Sequence, residues 1–99
     1  MVSAKIQRLA QIDKVIHEPA RLMIVALLSA VAEADFQYLH KSTGLTKGNL
    51  SVHLSKLEGA GYIKIEKSFR GKYPLTICRL TKEGKETFET YRRVIKGAL

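Results

Sequence analysis

The chain is 99 residues long, which leaves room for a single small domain. Apolar residues make up 45% of it, which excludes global disorder, and its formal net charge is +8. The longest uninterrupted apolar run, Leu22–Leu28, is far shorter than the roughly 18 residues that span a bilayer, so we expect no membrane partner.

The positive charge is concentrated in one half of the sequence. Residues 1–43 contain five Lys or Arg against four Asp or Glu, whereas residues 44–99 contain twelve against five. This excess indicates a polyanion-binding domain, although a solvated surface that only confers solubility has the same composition. The single Cys78 cannot form an intrachain disulfide, and the N-terminal residues lack the pattern of a signal peptide, so we expect a cytoplasmic protein.

Residues 4–16 are predicted to form an amphipathic helix. Its apolar residues recur three or four positions apart and are separated by charged and amide side chains. These apolar residues are Ile6, Leu9, Ile12 and Ile16. Because the stripe needs a partner, we expect it to pack on the core of its own chain or on a second subunit.

A second helix is predicted from Pro19 to Val31. Proline is tolerated in the first turn of a helix, where its missing N–H would have no partner. The sequence that follows, ARLMIVALLSAV, is apolar on nearly every side. Such a helix is buried nearly all round, which is difficult in a monomer of this size and favours a dimer.

Residues 36–62 have the pattern of a helix-turn-helix. Asp35 is a suitable N-cap for a helix over residues 36–43, Gly44 would end that helix, and Thr46 can cap the next one. The apolar positions of the next helix are Leu50, Leu54 and Leu57. Two short helices joined by a tight glycine turn form the motif whose second helix enters the DNA major groove.

The outward side of this second helix is small and polar. At about 100° of rotation per residue, the outward and flanking positions are Gly48, Ser51, Val52, Ser55, Lys56, Lys47, Asn49 and His53. Serine hydroxyls can hydrogen-bond to base edges, valine can contact a thymine methyl group, and lysine reaches phosphates. The alternative is that this face is only solvated.

A β-hairpin is predicted next, with strands over residues 62–69 and 75–80 joined by a turn over residues 70–74. Arg70 and Lys72 flank a glycine in that turn. After a helix-turn-helix, such a hairpin can lie on a duplex as a wing, with its cations over phosphates or in the minor groove. The alternative is that turns are charged because they are exposed.

The sequence of the second strand leaves its buried face open. One alternative is that Leu75 and Ile77 face the core. The other is that Thr76, Cys78 and Leu80 do. Thr81 then caps a predicted last helix that runs to about Lys96. Its apolar stripe is Phe88, Tyr91 and Ile95.

The stretch STGLTKGNLSVHLSKLEGAGYIKIEKSFRGKYPLTICRLTKEGKETF resembles the core of small prokaryotic winged-helix regulators of the MarR/ArsR type. HEPARLMIVALL is similar to the helix that opens those domains, and the resemblance covers about residues 17–90. It implies a recognition helix in the major groove, a wing on the flanking backbone or minor groove, and a homodimer. The DNA contacts that it implies are Lys47, Gly48, Asn49, Ser51, Val52, His53, Lys56, Arg70 and Lys72.

Two features of those families are missing from this sequence. The paired cysteines of ArsR-type metal sensors do not occur, and His17, His40 and His53 are scattered without ligand spacing, so no metal and no cofactor are predicted. The terminal helices are shorter than those that frame the ligand pocket of MarR-type regulators. An effector is therefore left unassigned.

The sequence as a whole predicts an α+β, mostly α fold: a winged helix-turn-helix with a two-stranded wing. Residues 1–16 form the N-terminal helix, 17–81 the winged-helix core and 82–99 the C-terminal helix. A homodimer is expected to use both terminal helices and the outer side of the second helix. The predicted terminal interface residues are Ile6, Leu9, Ile12, Ile16, Phe88, Tyr91 and Ile95.

The predicted function is sequence-specific binding of double-stranded DNA by a repressor-like transcriptional regulator. The alternative is a winged helix used as a protein–protein adaptor, because fold alone does not determine function. RNA binding is less favoured, since Tyr62 and Tyr73 are the only candidates for an exposed stacking platform. No motif of an enzyme occurs, so no catalytic activity is expected.

Overall fold

The computed structural model describes residues 3–99, which form five α-helices and a three-stranded antiparallel sheet. The helices are α1 (Ala4–Gln7), α2 (Pro19–Ser29), α3 (Phe36–Thr43), α4 (Lys47–Gly59) and α5 (Lys82–Ala98). The strands are β1 (Ala34–Asp35), β2 (Ile63–Arg70) and β3 (Tyr73–Leu80), in the order β1-β3-β2. The predicted mostly α winged helix-turn-helix fold is confirmed, with one short strand more than predicted.

The helix-turn-helix forms through the predicted caps. The Asp35 carboxylate accepts a hydrogen bond from the Tyr38 N–H at the start of α3. Gly44 ends α3 in the left-handed region at φ 71°, which L side chains adopt at a cost. The Thr46 hydroxyl then accepts from the Asn49 N–H and starts α4. Each of these cap predictions is confirmed.

The core is a single cluster that joins α2, α3, α4, the sheet and α5. Its fully buried side chains are Ile16, Ile24, Val25, Leu28, Leu39, Leu50, Leu57 and Cys78. Leu54 is 2% exposed, so all three leucines predicted for the inner face of α4 are buried. On β3 the buried residues are Cys78 and Leu80, which decides the face that the sequence left open.

The hairpin is tighter than predicted. β2 and β3 pair from Ile63 opposite Leu80 to Arg70 opposite Tyr73, so its loop is only Gly71 and Lys72. Gly71 has φ 62° at the first loop position, as in a type II′ turn, whose twist matches that of the strands. The predicted turn over residues 70–74 was too long, because its last two residues continue β3.

Pro74 is accommodated in β3 because the neighbouring edge is open there. β1 pairs only with Ile77 and Cys78, so β3 has no hydrogen-bonding neighbour on that side at position 74. A proline is tolerated where the ladder needs no N–H.

The prediction of one N-terminal helix over residues 4–16 is wrong. α1 ends at Gln7 and is followed by a 3₁₀ turn, Arg8–Gln11. The chain then turns, because the Asp13 carboxylate accepts hydrogen bonds from the N–H groups of Val15 and Ile16. The predicted stripe is therefore broken, and Ile16 is buried in the core of its own chain.

The second helix also differs from its prediction. α2 ends at Ser29, two residues before the predicted Val31. It is not buried on all sides, because Met23 and Ala26 are exposed. α2 therefore presents an apolar outer side to solvent.

Two side-chain contacts fix the N-terminal segment to the rest of the domain. The Tyr62 hydroxyl donates to the Asp13 carboxylate, and the His17 Nδ1 atom lies 2.9 Å from the Tyr91 hydroxyl. Burial, the hydrogen bond to Asp13 and its negative charge raise the pKa of Tyr62 to about 12. Residues 12–18 are therefore anchored to the folded domain, and Ile16 is buried in its core.

The first turn of α5 packs against the backbone of residues 61 and 62, which follow α4, and only glycine fits at the point of contact. A Cβ atom added at Gly84 would lie 2.1 Å from the carbonyl oxygen of Tyr62. The same carbonyl accepts the Thr81 N–H at 3.0 Å, and the Thr81 hydroxyl donates to the Gly61 carbonyl at 2.6 Å. Gly84 thus allows the start of α5 to sit directly on residues 61 and 62.

We predict that Gly84→Ala destabilises the domain by roughly 2–3 kcal/mol, because the helix must move away from the Tyr62 carbonyl. Gly97→Ala in the same helix is the matched control, since its added Cβ has open space. That control should be neutral or slightly stabilising. Urea unfolding monitored by circular dichroism measures both, and equal stability of the two variants would contradict the close-contact argument.

Candidate nucleic-acid interface

The outer face of α4 is exposed because its inner face is held by the core. Leu50, Leu54 and Leu57 point inward, so the intervening residues face solvent. The exposed residues on that side are Lys47, Gly48, Asn49, Ser51, Val52, Ser55 and Lys56. The helix N-terminus is also exposed, and its free N–H groups attract anions. The structure therefore brings six of the seven predicted α4 contacts onto one accessible surface.

The hairpin tip is a basic projection without compensating acids. Residues 67–74 are all exposed, and they include Lys67, Arg70 and Lys72. The one acidic residue of the hairpin, Glu66, is already paired with Arg79 at 2.6 Å and lies 3.7 Å from the Lys64 ammonium. Within residues 3–99, no ion pair involves the three tip cations.

A groove of about 340 Å³ separates α4 from the wing. It is lined by Phe36, Ser51, Leu54, Ser55, Ile65, Lys67 and Thr76. Three of these residues carry hydroxyl groups, and the Lys67 ammonium lies 3.3 Å from the Thr76 hydroxyl. Beside the apolar Phe36, Leu54 and Ile65, the three hydroxyl groups and the ammonium group can donate several hydrogen bonds to a phosphate.

Three residues that line this groove, Ser55, Lys67 and Thr76, are absent from the sequence-based list of candidate contacts. Lys67 and Thr76 are cross-strand partners in the register of the hairpin, so their side chains emerge on the same face. That register could not be read from the sequence until the buried face of β3 was known. Ser55 lies one turn after Ser51 on α4, and this spacing was the available signal.

His53 differs from the other predicted α4 contacts because it turns back onto α2. Its Nδ1 atom lies 3.2 Å from the Arg21 guanidinium and 3.5 Å from the Glu18 carboxylate. Arginine can only donate, so Nδ1 accepts and the Nε2–H remains as the donor of the ring. In this arrangement His53 ties the middle of α4 to the start of α2.

Glu18 is the centre of that cluster. Its carboxylate caps α2 by accepting the N–H groups of Ala20 and Arg21 at 3.0 and 2.9 Å. Partial burial raises the pKa of Glu18, but the hydrogen bonds from the Arg21 and Ala20 N–H groups and the positive charge of Arg21 outweigh it, so the pKa lies below the ordinary 4.5. The cluster therefore holds a charged carboxylate at neutral pH.

Residues 20–99 match the model of a protein family described as "Winged helix DNA-binding domain". The chain belongs to that family. A protein of Methanocaldococcus jannaschii of uncharacterised function is 36% identical over 78 residues, which cover 79% of this chain and 85% of that protein.

Two solved structures share the fold along nearly the whole chain. A transcriptional regulator homologue from Pyrococcus horikoshii OT3 has a TM-score of 0.85 and 26% identity, covering 95% of this chain and 92% of that one. A MarR-family transcriptional regulator from Enterococcus faecalis V583 has a TM-score of 0.77 and 18% identity, covering 97% and 86%. The resemblance to regulators of this type is confirmed, and this winged helix is a DNA-binding regulator domain.

The predicted dimer residues fall into two groups in this winged helix. Ile16, Phe88 and Tyr91 are 0%, 7% and 8% exposed, so their side chains stabilise the core of their own chain. Ile16 has no surface left for a second subunit, and its assignment to the interface is corrected. The residues that retain exposed surface are Ile6, Leu9, Ile12 and Ile95.

The described part of the chain offers little for metal or thiol chemistry. Among residues 3–99, no three His, Cys, Asp or Glu side chains are grouped so that they could hold a metal ion. Cys78 is buried, and that burial, with the negative charge of Glu58, raises the pKa of its thiol to about 11. Over the same residues, no helix combines the length and the apolar character needed to cross a membrane.

We predict that Glu18→Gln lowers the free energy of unfolding by about 1 kcal/mol at pH 7, because it weakens the α2 cap. Folding lowers the pKa of Glu18, so its stabilisation is present above pH 4.5 and fades as the pH falls through the lowered value. Urea unfolding of wild type and variant at pH 7 and pH 3 measures this.

The matched control is Glu33→Gln, which removes an exposed carboxylate outside any helix. It should leave the stability unchanged at both pH values. A loss in Glu18→Gln that is equally large at pH 3 would mean that the charge of Glu18 is unimportant.

Proposed function

We propose that this winged helix is a homodimeric, repressor-like transcriptional regulator that recognises a specific sequence in double-stranded DNA. α4 enters the major groove, and the wing lies over the adjacent strand and minor groove. The observation that carries the proposal is a set of cations on these two elements that form no ion pair with an acid anywhere in residues 3–99. The set comprises Lys47, Lys56, Lys67, Arg70 and Lys72.

The groove between α4 and the wing fits one strand of the sugar–phosphate backbone. A duplex that places its major groove on α4 and its minor groove on the wing has the intervening strand between the two. The hydroxyls of Ser51, Ser55 and Thr76 and the Lys67 ammonium line that path. These contacts would set the register of the protein on the duplex without reading its sequence.

Sequence reading is assigned to the exposed middle of α4. Ser51 can donate to or accept from a base edge, Val52 is an exposed apolar side chain suited to a thymine methyl group, and Asn49 suits an adenine edge. Lys47 and Lys56 are assigned to phosphates, as are Arg70 and Lys72 on the wing. His53 is assigned to positioning α4 through Arg21 and Glu18, with its Nε2–H as the group that can still reach DNA.

The homodimer is supported by the shape and surface of the single chain. The radius of gyration is 15.0 Å, larger than the about 13 Å of a compact domain of this length. Ile6 is 55% exposed, and a groove of about 400 Å³ lies between Leu22 of α2 and the Phe88 and Ile95 side of α5. We place the second subunit on this side, which includes the outer residue Met23 of α2.

The proposal includes no catalytic activity and no cofactor, and it places the protein in the cytoplasm. Two α4 helices related by a two-fold axis would read half-sites about 10 base pairs apart, centre to centre. The alternative function, a protein–protein adaptor, would use the same fold without DNA affinity.

We predict that replacing Arg70 and Lys72 together by alanine weakens binding to duplexes of every sequence. Each lost phosphate contact should lower the slope of log affinity against log salt by about 1, so the double variant should lose about 2. Fluorescence anisotropy titrations of labelled duplex DNA at several salt concentrations measure the affinity and the slope.

The control variant replaces Lys82 and Lys85 by alanine, which removes the same charge from the first turn of α5. These residues lie at the base of the hairpin, whose eight-residue strands put them roughly 25 Å from the tip. The control should retain most of the affinity. If wild type binds no duplex at low salt, the regulator proposal fails and the adaptor function is favoured.

We further predict that wild type sediments as two chains at micromolar concentration. Replacing Ile6 and Met23 together by glutamate should give a single chain, because charge is placed on the proposed apolar contact. Both side chains are exposed, at 55% and 39%, so the fold of the chain should persist. Tyr38→Glu on α3 is the control and should remain a dimer. A wild-type mass of one chain would refute the dimer.

A further inference from the structure

The hairpin tip carries two exposed aromatic side chains, and the proposed phosphate contacts give them no role. Phe69 is 71% exposed and Tyr73 is 77% exposed. Tyr62, one of the two residues considered for stacking from the sequence, is instead half buried and bonded to Asp13. Because Phe69 projects from the exposed basic tip, its ring is available to be covered by a partner that binds there.

The charges around these aromatics favour a nucleic acid as the covering partner. The tip sequence from position 67 to 74, KSFRGKYP, contains three cations and no acid. A protein partner would have to neutralise all three cations, whereas phosphates on either side of a base step do so directly. An apolar ring flanked by cations is the arrangement by which proteins open a step in the minor groove.

The strand register separates the two aromatics onto opposite faces of the hairpin. Phe69 is the cross-strand partner of Pro74, and it follows Ile65 and Lys67 on the face that looks towards α4. Tyr73 is the partner of Arg70 on the other face. Two rings on opposite faces cannot stack on successive bases of one single strand, so the tip does not form a joint platform.

We propose that Phe69 is a wedge that inserts between base pairs in the minor groove and kinks the duplex at that step. The proposal rests on the proposed DNA-binding function and adds a residue that sets specificity through deformation. Pyrimidine–purine steps open most easily, so Phe69 would favour such a step under the wing. Pro74 stiffens the strand opposite Phe69 and supports the ring from the same face.

The experiment uses the full chain and a duplex that the wild type selects from a random library, labelled at its two ends with a donor and an acceptor dye. Energy transfer reports bending, and anisotropy at several salt concentrations reports affinity. We expect bending by the wild type. Phe69→Ala should abolish the bending and weaken binding roughly tenfold, with an unchanged salt slope because no charge is removed.

Two matched variants distinguish a wedge from a general loss of surface. Phe69→Leu retains an apolar wedge and should keep most of the bending. Tyr73→Ala removes an equally exposed ring from the opposite face and should bend the duplex as wild type does. Equal bending by wild type and Phe69→Ala would overturn the proposal while leaving DNA binding intact.

Three other outcomes would also overturn the wedge. Tighter binding of wild type to single-stranded DNA, lost in Phe69→Ala, would make the tip a stacking site for single strands. A change in sedimentation mass of Phe69→Ala without DNA would make it a contact between copies of the chain. No binding of wild type to any duplex at low salt would refute the DNA-binding proposal itself, and the wedge with it.

Discussion

The burial of three leucines on one side of α4 is the constraint on which the rest of the structure depends. Leu50, Leu54 and Leu57 pack against α2, α3 and β2, and each contributes roughly 2 kcal/mol of apolar burial. Because a helix turns about 100° per residue, fixing these three also fixes the direction of every other side chain of α4. The small polar face is therefore held outward by the core rather than by its own interactions.

The core also fixes the direction of the hairpin side chains, through the two-residue alternation of a β-strand. Ile63 and Ile65 face the core with Cys78 and Leu80, so position 67 and position 69 must emerge on that face further along the strand. A slip of one residue would move all of them to the other side. The short loop of Gly71 and Lys72 prevents the slip, and the wing therefore presents a defined face to α4.

Most of the fold could be predicted from the sequence because its signals are local. Asp35, Gly44, Thr46 and Thr81 each act within a few residues, and all four positions were predicted correctly. The N-terminal helix failed because its apolar spacing is interrupted by Asp13, whose carboxylate takes two backbone N–H groups and also reaches Tyr62. That last contact spans 49 positions, and no local pattern encodes it.

Part of the candidate site could also be predicted from local sequence patterns, and part required the three-dimensional structure. The exposed face of α4 followed from helical periodicity, whereas the groove with Lys67 and Thr76 required the strand register. His53 was placed correctly on the flank of α4, but its neighbours Glu18 and Arg21 belong to a different helix, so the cluster could not be foreseen. The exposure of Phe69 was missed because a strand residue next to a turn can face either the core or solvent.

The contact at Gly84 connects the helix proposed to bind DNA, α4, with the helix proposed to bind the second subunit, α5. Tyr62 follows α4 directly along the chain, and α5 rests on its carbonyl oxygen. If the second subunit binds along α5, the position of each α4 relative to the two-fold axis is set through this contact. Glycine permits a close and rigid approach there, whereas a larger residue would shift α5 relative to α4. The spacing of the two half-sites on DNA would then depend on a residue that touches neither DNA nor the partner.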